Sequence, residues 1–177
     1  STKLMEEAKK TNIGILVFGD CLSATTHISL LNEAIDKKIG VKIFHSSSIL
    51  TAVAETGLNL YNFGKVSSLP FNRENINSVI ENIKLNLKNN LHSLVLLDLD
   101  PINNIYVSIN DALLYLEKNG FKEKVVACCQ LGFNSDIKYG SIKDLNKIKF
   151  DKFPQCLIVP ARKLHFVEEE YLKNWEI

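Results

Sequence analysis

Carboxylates and hydroxyls follow the predicted strands of this chain, at the points where the strands end. Gly19 and Asp20 close one apolar run, residues 45–48 (His-Ser-Ser-Ser) follow the next, and Asp98 and Asp100 end a third. Ligands of open parallel sheets bind beyond the carboxyl ends of the strands, where glycine lets a ligand approach the backbone and a carboxylate accepts hydrogen bonds from a hydroxyl or amine. The placement predicts a small-molecule site. Plain turns and helix caps use the same residues, so that alternative stays open.

The composition describes a globular chain without concentrated charge. The 177 residues include 21 Lys and Arg and 20 Asp and Glu, interspersed, for a formal net charge of +1. A nucleic-acid-binding face needs clustered positive charge, so no nucleic-acid partner is expected. No apolar run approaches the roughly 20 residues that span a bilayer, and the amino end lacks the apolar segment of a signal peptide. We therefore expect a cytoplasmic protein with no membrane partner.

The nucleophilic and metal-binding residue types form none of the familiar motifs. The sequence holds no P-loop, no complete G-x-G-x-x-G, no G-x-S-x-G and no H-E-x-x-H. His27, His92 and His165 lack metal-ligand spacing. The four cysteines are Cys21, Cys128, Cys129 and Cys156. Because none of them is in C-x-x-C spacing, we expect reduced, mostly buried thiols and no metal site.

The elements that must position these residues alternate between strand and helix. Residues 12–18 and 41–45 are apolar runs typical of buried strands, and residues 25–38 between them carry one apolar stripe at helical spacing. A second, shorter helix is predicted in residues 46–57. Strand, helix, strand, helix in this order predicts a parallel sheet.

The alternation restarts after residues 64–68. Residues 72–90 are amphipathic, and residues 108–120 form a helix with Ser108 as its cap and Asp111 three residues later, a close variant of the capping box. A short helix is predicted within 141–148. Further strands are predicted in residues 92–100, 124–132 and 155–160.

Five sequence blocks follow one another along nearly the whole chain. They are GDCLSATTH, IFHSSSI, GLNLYNFG, HSLVLLDLD and LIVPARKLHFVEEEYL. In this order they resemble the diphthine synthase family of the tetrapyrrole-methylase superfamily, whose pattern reads GDP-x-x-ATTH, H-x-x-S-I and G-L-x-x-Y-x-F-G. Cys21 stands where the family has the proline of GDP, which loosens the turn and leaves Asp20 in place.

The resemblance implies a fold of two α/β domains. Residues 1–66 would be the remainder of an N-terminal cofactor domain with a parallel sheet, and residues 67–177 a C-terminal domain with a mixed sheet and helices. The family's opening strand and its G-x-G-L loop have no counterpart in this sequence, so the first sheet is expected to be incomplete at its N-terminus. Such a sheet exposes apolar edges, which favours pairing with another chain. Members of the family are usually homodimers.

The resemblance also implies an activity. Family members transfer methyl groups from S-adenosylmethionine to the amino nitrogen of a 3-amino-3-carboxypropyl group, which is attached to one histidine of translation elongation factor 2 in diphthamide biosynthesis. Methyl transfer from a sulfonium is an in-line displacement that needs no metal and mostly requires alignment. The amine must arrive unprotonated, so a base or a desolvating pocket is expected. The sequence does not indicate which residue serves, and no catalytic residue is assigned.

The family's cofactor contacts, carried over by position, fall after the predicted strands of both domains. They are Asp20, Ser23, Ser48, Ile49, Leu97, Leu131 and Gln155. Family members often have a small residue at the position of Leu131 and a histidine at the position of Gln155. These two positions therefore depart from the family pattern.

Two other functions stay open at this point. The chain is alternatively a non-catalytic truncated fragment or dimerising binding module of the family, because the glycine-rich loop has no counterpart. It is alternatively a methylase of the same superfamily that acts on a porphyrin precursor. Cofactor binding separates the first alternative from an enzyme, and the methylated product separates the second.

Overall fold

The structure is a computed structural model that describes residues 2–73 and 76–177 and divides into two compact units. Unit 1 ends at Ala52, and unit 2 is Val53–Ile177. This division follows the density of internal contacts, and the domain boundary predicted between residues 66 and 67 remains a prediction. Within the described residues, no helix is both long enough and apolar enough to cross a membrane.

Unit 1 contains short helices joined by irregular segments. The helices are α1 (Thr2–Ala8), α2 (Ile28–Asp36) and α3 (Ile49–Ala52). Helix α2 confirms the helix predicted in residues 25–38. Its buried residue is Ala34, whereas Ile28 and Ile35 of the predicted apolar stripe are more than half exposed. The stripe therefore remains accessible instead of forming a core within unit 1.

The two apolar runs of unit 1 differ from the prediction, because neither residues 12–18 nor residues 41–45 form a strand. A parallel strand exists only beside a hydrogen-bonded neighbour, and no ladder is assigned among the described residues of unit 1. Leu16 is 97% exposed and Phe18 is fully exposed. The pattern expected of a buried strand is present, but the pairing that makes a strand is not.

Unit 2 contains a mixed sheet, which confirms the α/β class and the mixed sheet predicted for the second domain. Its strands are β1 (Ser67–Leu69), β2 (Ser93–Leu97), β3 (Leu99–Asp100), β4 (Ile105–Tyr106), β5 (Val125–Cys129), β6 (Asp136–Gly140) and β7 (Gln155–Val159). Five of them form one sheet in the order β1-β2-β7-β5-β6, and β3 pairs with β4 separately. β1 and β2 are parallel, and the other neighbouring pairs are antiparallel.

Four α-helices accompany this sheet within the described residues of unit 2. They are α4 (Ser78–Lys88), α5 (Ile109–Lys118), α6 (Ile142–Leu145) and α7 (Phe166–Leu172). The capping box predicted for α5 is present: the Asp111 backbone N–H donates to Ser108 Oγ (3.1 Å), and the Ser108 backbone N–H donates to Asp111 Oδ2 (3.0 Å). Helix α4 lies within the predicted residues 72–90, of which residues 74 and 75 are outside the described part of the chain.

The core of unit 2 lies between the sheet and the apolar faces of α4 and α5. Ile83 of α4 and Leu113 of α5 are fully buried in one hydrophobic cluster with side chains of the central strands. Every residue of β5 and β7 is buried, which explains why these strands read as continuous apolar runs. Cys128, Cys129 and Cys156 are buried free thiols on these strands, as predicted. The packed sheet provides the rigid edge on which several candidate site residues stand.

Candidate cofactor site

Three predicted site residues lie at one edge of the sheet of unit 2. β2 and β5 run in the same direction on either side of the antiparallel β7, so their carboxyl ends and the start of β7 share an edge. Gln155 is opposite Cys129, and Leu97 follows the last residue of β2 that is paired with β7. Leu131 is two residues beyond Cys129. These residues are far apart in the sequence, and the strand order of the sheet places them at the same edge.

The Gln155 side chain is buried and hydrogen-bonded within unit 2. Its Oε1 accepts the backbone N–H of Ile109, the first residue of α5, at 2.8 Å. Its Nε2 donates to the carbonyls of Phe150 and Lys152, both at 3.1 Å. An amide nitrogen has two hydrogens to donate, so both are taken. Both amide hydrogens of Gln155 are therefore committed within unit 2.

Leu131 lies in a tight turn that is anchored to the start of β7. The flanking residues Gln130 and Gly132 have positive φ angles of 49° and 87°. The Gln130 backbone N–H donates to the Pro154 carbonyl at 2.9 Å, and the Gln130 side chain donates to the Phe153 carbonyl at 2.8 Å. Leu131 itself is half-buried. The turn is held by hydrogen bonds of Gln130, and the half-buried Leu131 side chain takes no part in them.

Asp20 organises the corresponding region of unit 1, where the ends of the two apolar runs meet. Its Oδ1 accepts the Leu22 backbone N–H (2.9 Å) and the Ser23 hydroxyl (3.1 Å). Its Oδ2 accepts His45 Nδ1 (2.8 Å) and the Ser46 backbone N–H (3.1 Å). A carboxylate has about four acceptor positions. All of them are occupied, so Asp20 joins residues 20–23 to residues 45–46.

These hydrogen bonds explain the electrostatics of the Asp20 carboxyl. The bond from the Leu22 N–H, followed by those from His45 and Ser46, holds the pKa of Asp20 well below its usual range. The carboxylate is 7% exposed and stays ionised, because the same donors that shield it also stabilise its charge. Asp20 is thus a fixed anion and not a flexible surface group.

His45 is the functional candidate that sequence reasoning placed at a strand end but did not connect to Asp20. The two residues are 25 positions apart, and their side chains are joined by a hydrogen bond in which Asp20 is 7% exposed and His45 is 69% exposed. The available signal was that each follows an apolar run. Two parallel strands would bring those ends together, but the spacing alone could not specify a contact between side chains.

Ser48 and Ile49 lie at the start of α3. Ser48 Oγ accepts the Leu50 backbone N–H at 3.1 Å, and the Ser48 carbonyl accepts the N–H groups of Thr51 and Ala52. This is the helix-cap alternative considered for the serine run. The cap uses the oxygen of the Ser48 hydroxyl and not its hydrogen, so the hydroxyl remains a donor.

The described ranges 2–73 and 76–177 contain no group of three or more His, Cys, Asp and Glu side chains that could hold a metal ion. His92 illustrates why the number of histidines in a sequence does not predict a metal site. It is fully buried, and both of its ring nitrogens are hydrogen-bonded within unit 2.

Curated relatives match this chain over most of its length. A diphthine synthase from Methanosphaera stadtmanae is 40% identical over 182 residues, covering 96% of this chain and 69% of the relative. A diphthine synthase from Methanocaldococcus jannaschii is 40% identical over 185 residues, covering 97% of this chain and 72% of the relative. No protein-family model matches the chain.

A solved structure gives the same result for the fold. A crystal structure of a diphthine synthase superposes with a TM-score of 0.91 at 33% identity, covering 99% of this chain and 70% of that chain. The match extends over both units of the present structure. Sequence and fold therefore lead to the same set of proteins.

Proposed function

The chain belongs to the diphthine synthase family of S-adenosylmethionine-dependent methyltransferases, and we propose that it methylates the amino nitrogen of the 3-amino-3-carboxypropyl-histidine of translation elongation factor 2. The observation that carries the proposal is 40% identity over 96% of the chain. The non-catalytic fragment and the porphyrin-precursor methylase remain the alternatives to be tested.

The residues present fit S-adenosylmethionine in chemical terms. When bound, this molecule supplies a methyl group on a positively charged sulfur. Leu131 and Ile49 are half-buried apolar residues suited to contact adenosine, whereas the Leu97 side chain, at the end of β2, is buried in the hydrophobic cluster of unit 2. The Ser48 hydroxyl keeps its proton for a ligand oxygen. These features support assigning cofactor binding to the positions inferred from the family resemblance.

Three of those positions take more specific roles in the proposal. The Asp20 carboxylate is saturated by its four donors, so it acts by holding residues 20–23 against residues 45–46. Ser23 belongs to the same arrangement, because its hydroxyl donates to Asp20. Gln155 has a structural role in the proposal, because its amide is hydrogen-bonded to Ile109, Phe150 and Lys152.

Catalysis then requires alignment and an unprotonated amine. Methyl transfer to nitrogen forms one C–N bond as one C–S bond breaks, and the sulfur keeps the electron pair of the broken bond. Holding the amine in line with the methyl group accounts for much of the rate enhancement available to such a reaction. The primary amine of the substrate is largely protonated near neutral pH, so the enzyme must also remove a proton before each transfer.

The proposal includes a cytoplasmic homodimer that acts without nucleic acid. Leu16, Phe18 and Phe44 of unit 1 are strongly exposed apolar side chains, and such surfaces favour burial against another chain. Analytical ultracentrifugation of the protein tests the dimer. A single monomeric species at micromolar concentration would contradict it.

Mass spectrometry tests the activity directly. Elongation factor 2 that carries the unmethylated 3-amino-3-carboxypropyl group is incubated with the chain and S-adenosylmethionine, and a porphyrin precursor is incubated in parallel. We expect methyl mass on the elongation factor and none on the porphyrin. Methyl mass only on the porphyrin would favour the other superfamily activity. Absence of both products, together with no calorimetric binding of S-adenosylmethionine at millimolar concentration, would favour the non-catalytic fragment.

A further inference from the structure

His45 differs from the other three histidines in what its ring nitrogens contact. His92 is buried, with Nδ1 accepting the Ala161 N–H and Nε2 donating to Glu168. The Nδ1 of His165 accepts a backbone N–H, and the Nδ1 of His27 is bonded to a backbone carbonyl. Only His45 places a carboxylate on Nδ1 while its side chain remains mostly exposed.

The contact with Asp20 determines the tautomer of His45. The Asp20 carboxylate can only accept, so the His45 Nδ1 carries the hydrogen over the 2.8 Å contact. In the neutral ring the lone pair is then on Nε2. No hydrogen bond to this Nε2 is present among residues 2–73 and 76–177. The ring therefore presents a basic nitrogen to its surroundings.

The carboxylate also prepares the ring to become charged. When Nε2 takes a proton, the imidazolium that forms lies against an anion, which stabilises it. Asp20 is held on its other sides by Leu22, Ser23 and Ser46, so it does not need to reorient as the charge appears. A buried carboxylate that orients a histidine for proton transfer is a recurring arrangement in unrelated enzymes.

We infer that His45 Nε2 is the base that removes the proton from the substrate ammonium before methyl transfer. This inference rests on the proposed function, which requires a free amine. One N–H bond of the ammonium breaks, its electron pair stays on nitrogen, and the proton forms an N–H bond with Nε2. The exposed imidazolium then passes the proton to water. The ring is neutral again before a following transfer.

The test uses His45→Asn in the full chain. The asparagine amide can still donate to Asp20 from the position of Nδ1, so residues 20–23 and 45–46 stay joined, but no basic nitrogen remains. We expect kcat to fall roughly 100-fold or more near neutral pH, with the dissociation constant for S-adenosylmethionine unchanged. Because alkali deprotonates the amine without help, the remaining rate should rise about tenfold per pH unit.

The control is His165→Asn, which keeps a capping acceptor at the start of α7 and should leave the rate unchanged. The titratable groups whose contacts reach the His45 region are Asp20, Cys21, whose thiol donates to the Phe44 carbonyl (3.7 Å), and Lys42, which lies 5.0 Å from the Phe44 ring centre. None of these three is altered in either variant.

A second variant and a spectroscopic measurement separate a base from a structural role. In His45→Ala, added imidazole should restore part of the rate, and bases of higher pKa should restore more. Nitrogen NMR of the wild-type protein should show neutral His45 with its hydrogen on Nδ1 and none on Nε2. This measurement does not require that the protein transfers methyl groups. Asp20→Ala should abolish this preference, because it removes the oxygen that accepts the Nδ1 hydrogen.

The outcomes distinguish the failure of this inference from the failure of the proposed function. A wild-type chain that transfers no methyl group overturns the function and the inference with it. An active wild type together with a His45→Asn variant of equal rate and equal pH profile overturns only the inference. Loss of cofactor binding in His45→Asn also overturns it, because His45 would then be a binding residue.

Discussion

His92 and Glu168 meet in the interior of unit 2, where His92 Nε2 donates to Glu168 Oε1 at 3.0 Å and both side chains are almost inaccessible. The His92 Nδ1 accepts the Ala161 N–H at 2.9 Å. Glu168 also accepts the backbone N–H groups of Asn59 (2.7 Å) and His165 (2.9 Å). This buried pair thus connects the blocks GLNLYNFG, HSLVLLDLD and LIVPARKLHFVEEEYL by hydrogen bonds. Part of the family resemblance in these blocks therefore reflects packing within unit 2.

Replacing Glu168 with glutamine should destabilise unit 2. The glutamine keeps the size of the side chain but replaces one acceptor oxygen with a donor, which then faces either His92 and Asn59 or His165. Leaving buried donors unpaired costs about 2–4 kcal/mol. The free energy of unfolding in urea measures this loss. Glu169→Gln, on an exposed neighbour in the first turn of α7, is the matched control and should change stability by less than about 0.5 kcal/mol. Equal stability of the two variants would contradict the prediction.

The same pair predicts that stability falls as the pH is lowered. Burial lowers the pKa of His92 below its ordinary value of 6.5, against the opposing effect of Glu168. Burial alone would raise the pKa of Glu168, but hydrogen bonds from Asn59, His165 and His92 bring it below 4.5. In both cases the unfolded chain binds its proton at a higher pH than the folded chain. Stability is therefore complete above pH 6.5 and is lost progressively below it.

Urea unfolding between pH 8 and pH 5 measures the His92 contribution. We expect the free energy of unfolding to decrease below pH 6.5, with a slope of at most about 1.4 kcal/mol per pH unit for one proton. His92→Gln should remove the part of this slope that begins near pH 6.5. A wild-type protein that becomes more stable as the pH falls through this range would show the opposite sign.

The sequence predicts those elements of the fold whose signals are local. The capping box of α5 is contained in residues 108–111, and β5 and β7 are continuous apolar runs between turns. Residues 12–18 carry the same kind of run and are not a strand, because strand formation depends on a neighbour that the run itself does not encode. The sequence of β6 has little apolar alternation and does not predict a strand. This segment is a strand because it pairs with β5.

The candidate site shows the same limit at the level of single side chains. Asp20 could be selected from its place after an apolar run, but its partner His45 is 25 residues away. His92, which has no metal-ligand spacing in the sequence, is paired with Glu168 across 76 residues. Such contacts depend on tertiary packing. A family resemblance can point to the positions, but it does not reveal which atoms they contact.

Replacing Asp20 with asparagine should weaken cofactor binding and leave global stability almost unchanged. The asparagine amide cannot accept from both pairs of donors, so residues 45–46 separate from residues 20–23. We expect the dissociation constant for S-adenosylmethionine to rise roughly tenfold. The thermal midpoint should hardly move, because Asp20 lies outside the hydrophobic cluster of unit 2. Isothermal titration calorimetry and a thermal melt measure the two quantities.

Asp100→Asn provides the matched control for Asp20→Asn. Asp100 also closes a turn after a strand, accepting the backbone N–H groups of Ile102 and Asn103 and the side-chain amide of Asn103. Within the described part of the chain its carboxylate contacts only this turn, so its replacement should leave cofactor affinity unchanged. Normal binding by Asp20→Asn together with a large loss of stability would reduce Asp20 to a turn residue.

Gln155 provides a test of whether this position is primarily structural in the present chain. Gln155→Leu removes the acceptor for the Ile109 N–H and the donor to two carbonyls, all near a buried strand end. Unpaired buried groups of this kind cost about 1–3 kcal/mol. Gln155→His should cost less, because a neutral imidazole can supply one acceptor and one donor. Urea unfolding of the two variants measures the difference.

Amide hydrogen exchange at Ile109 adds a local readout to that comparison. The Ile109 N–H is at the first turn of α5, where helix N–H groups have no partner within the helix, and the Gln155 side chain supplies its acceptor. We expect the exchange of this amide to accelerate strongly in Gln155→Leu and only slightly in Gln155→His. The exchange of amides in the central strand β5 should change only as much as the global free energy of unfolding changes. Unchanged protection of Ile109 in Gln155→Leu would mean that the start of α5 is held by packing alone and that the buried amide is dispensable.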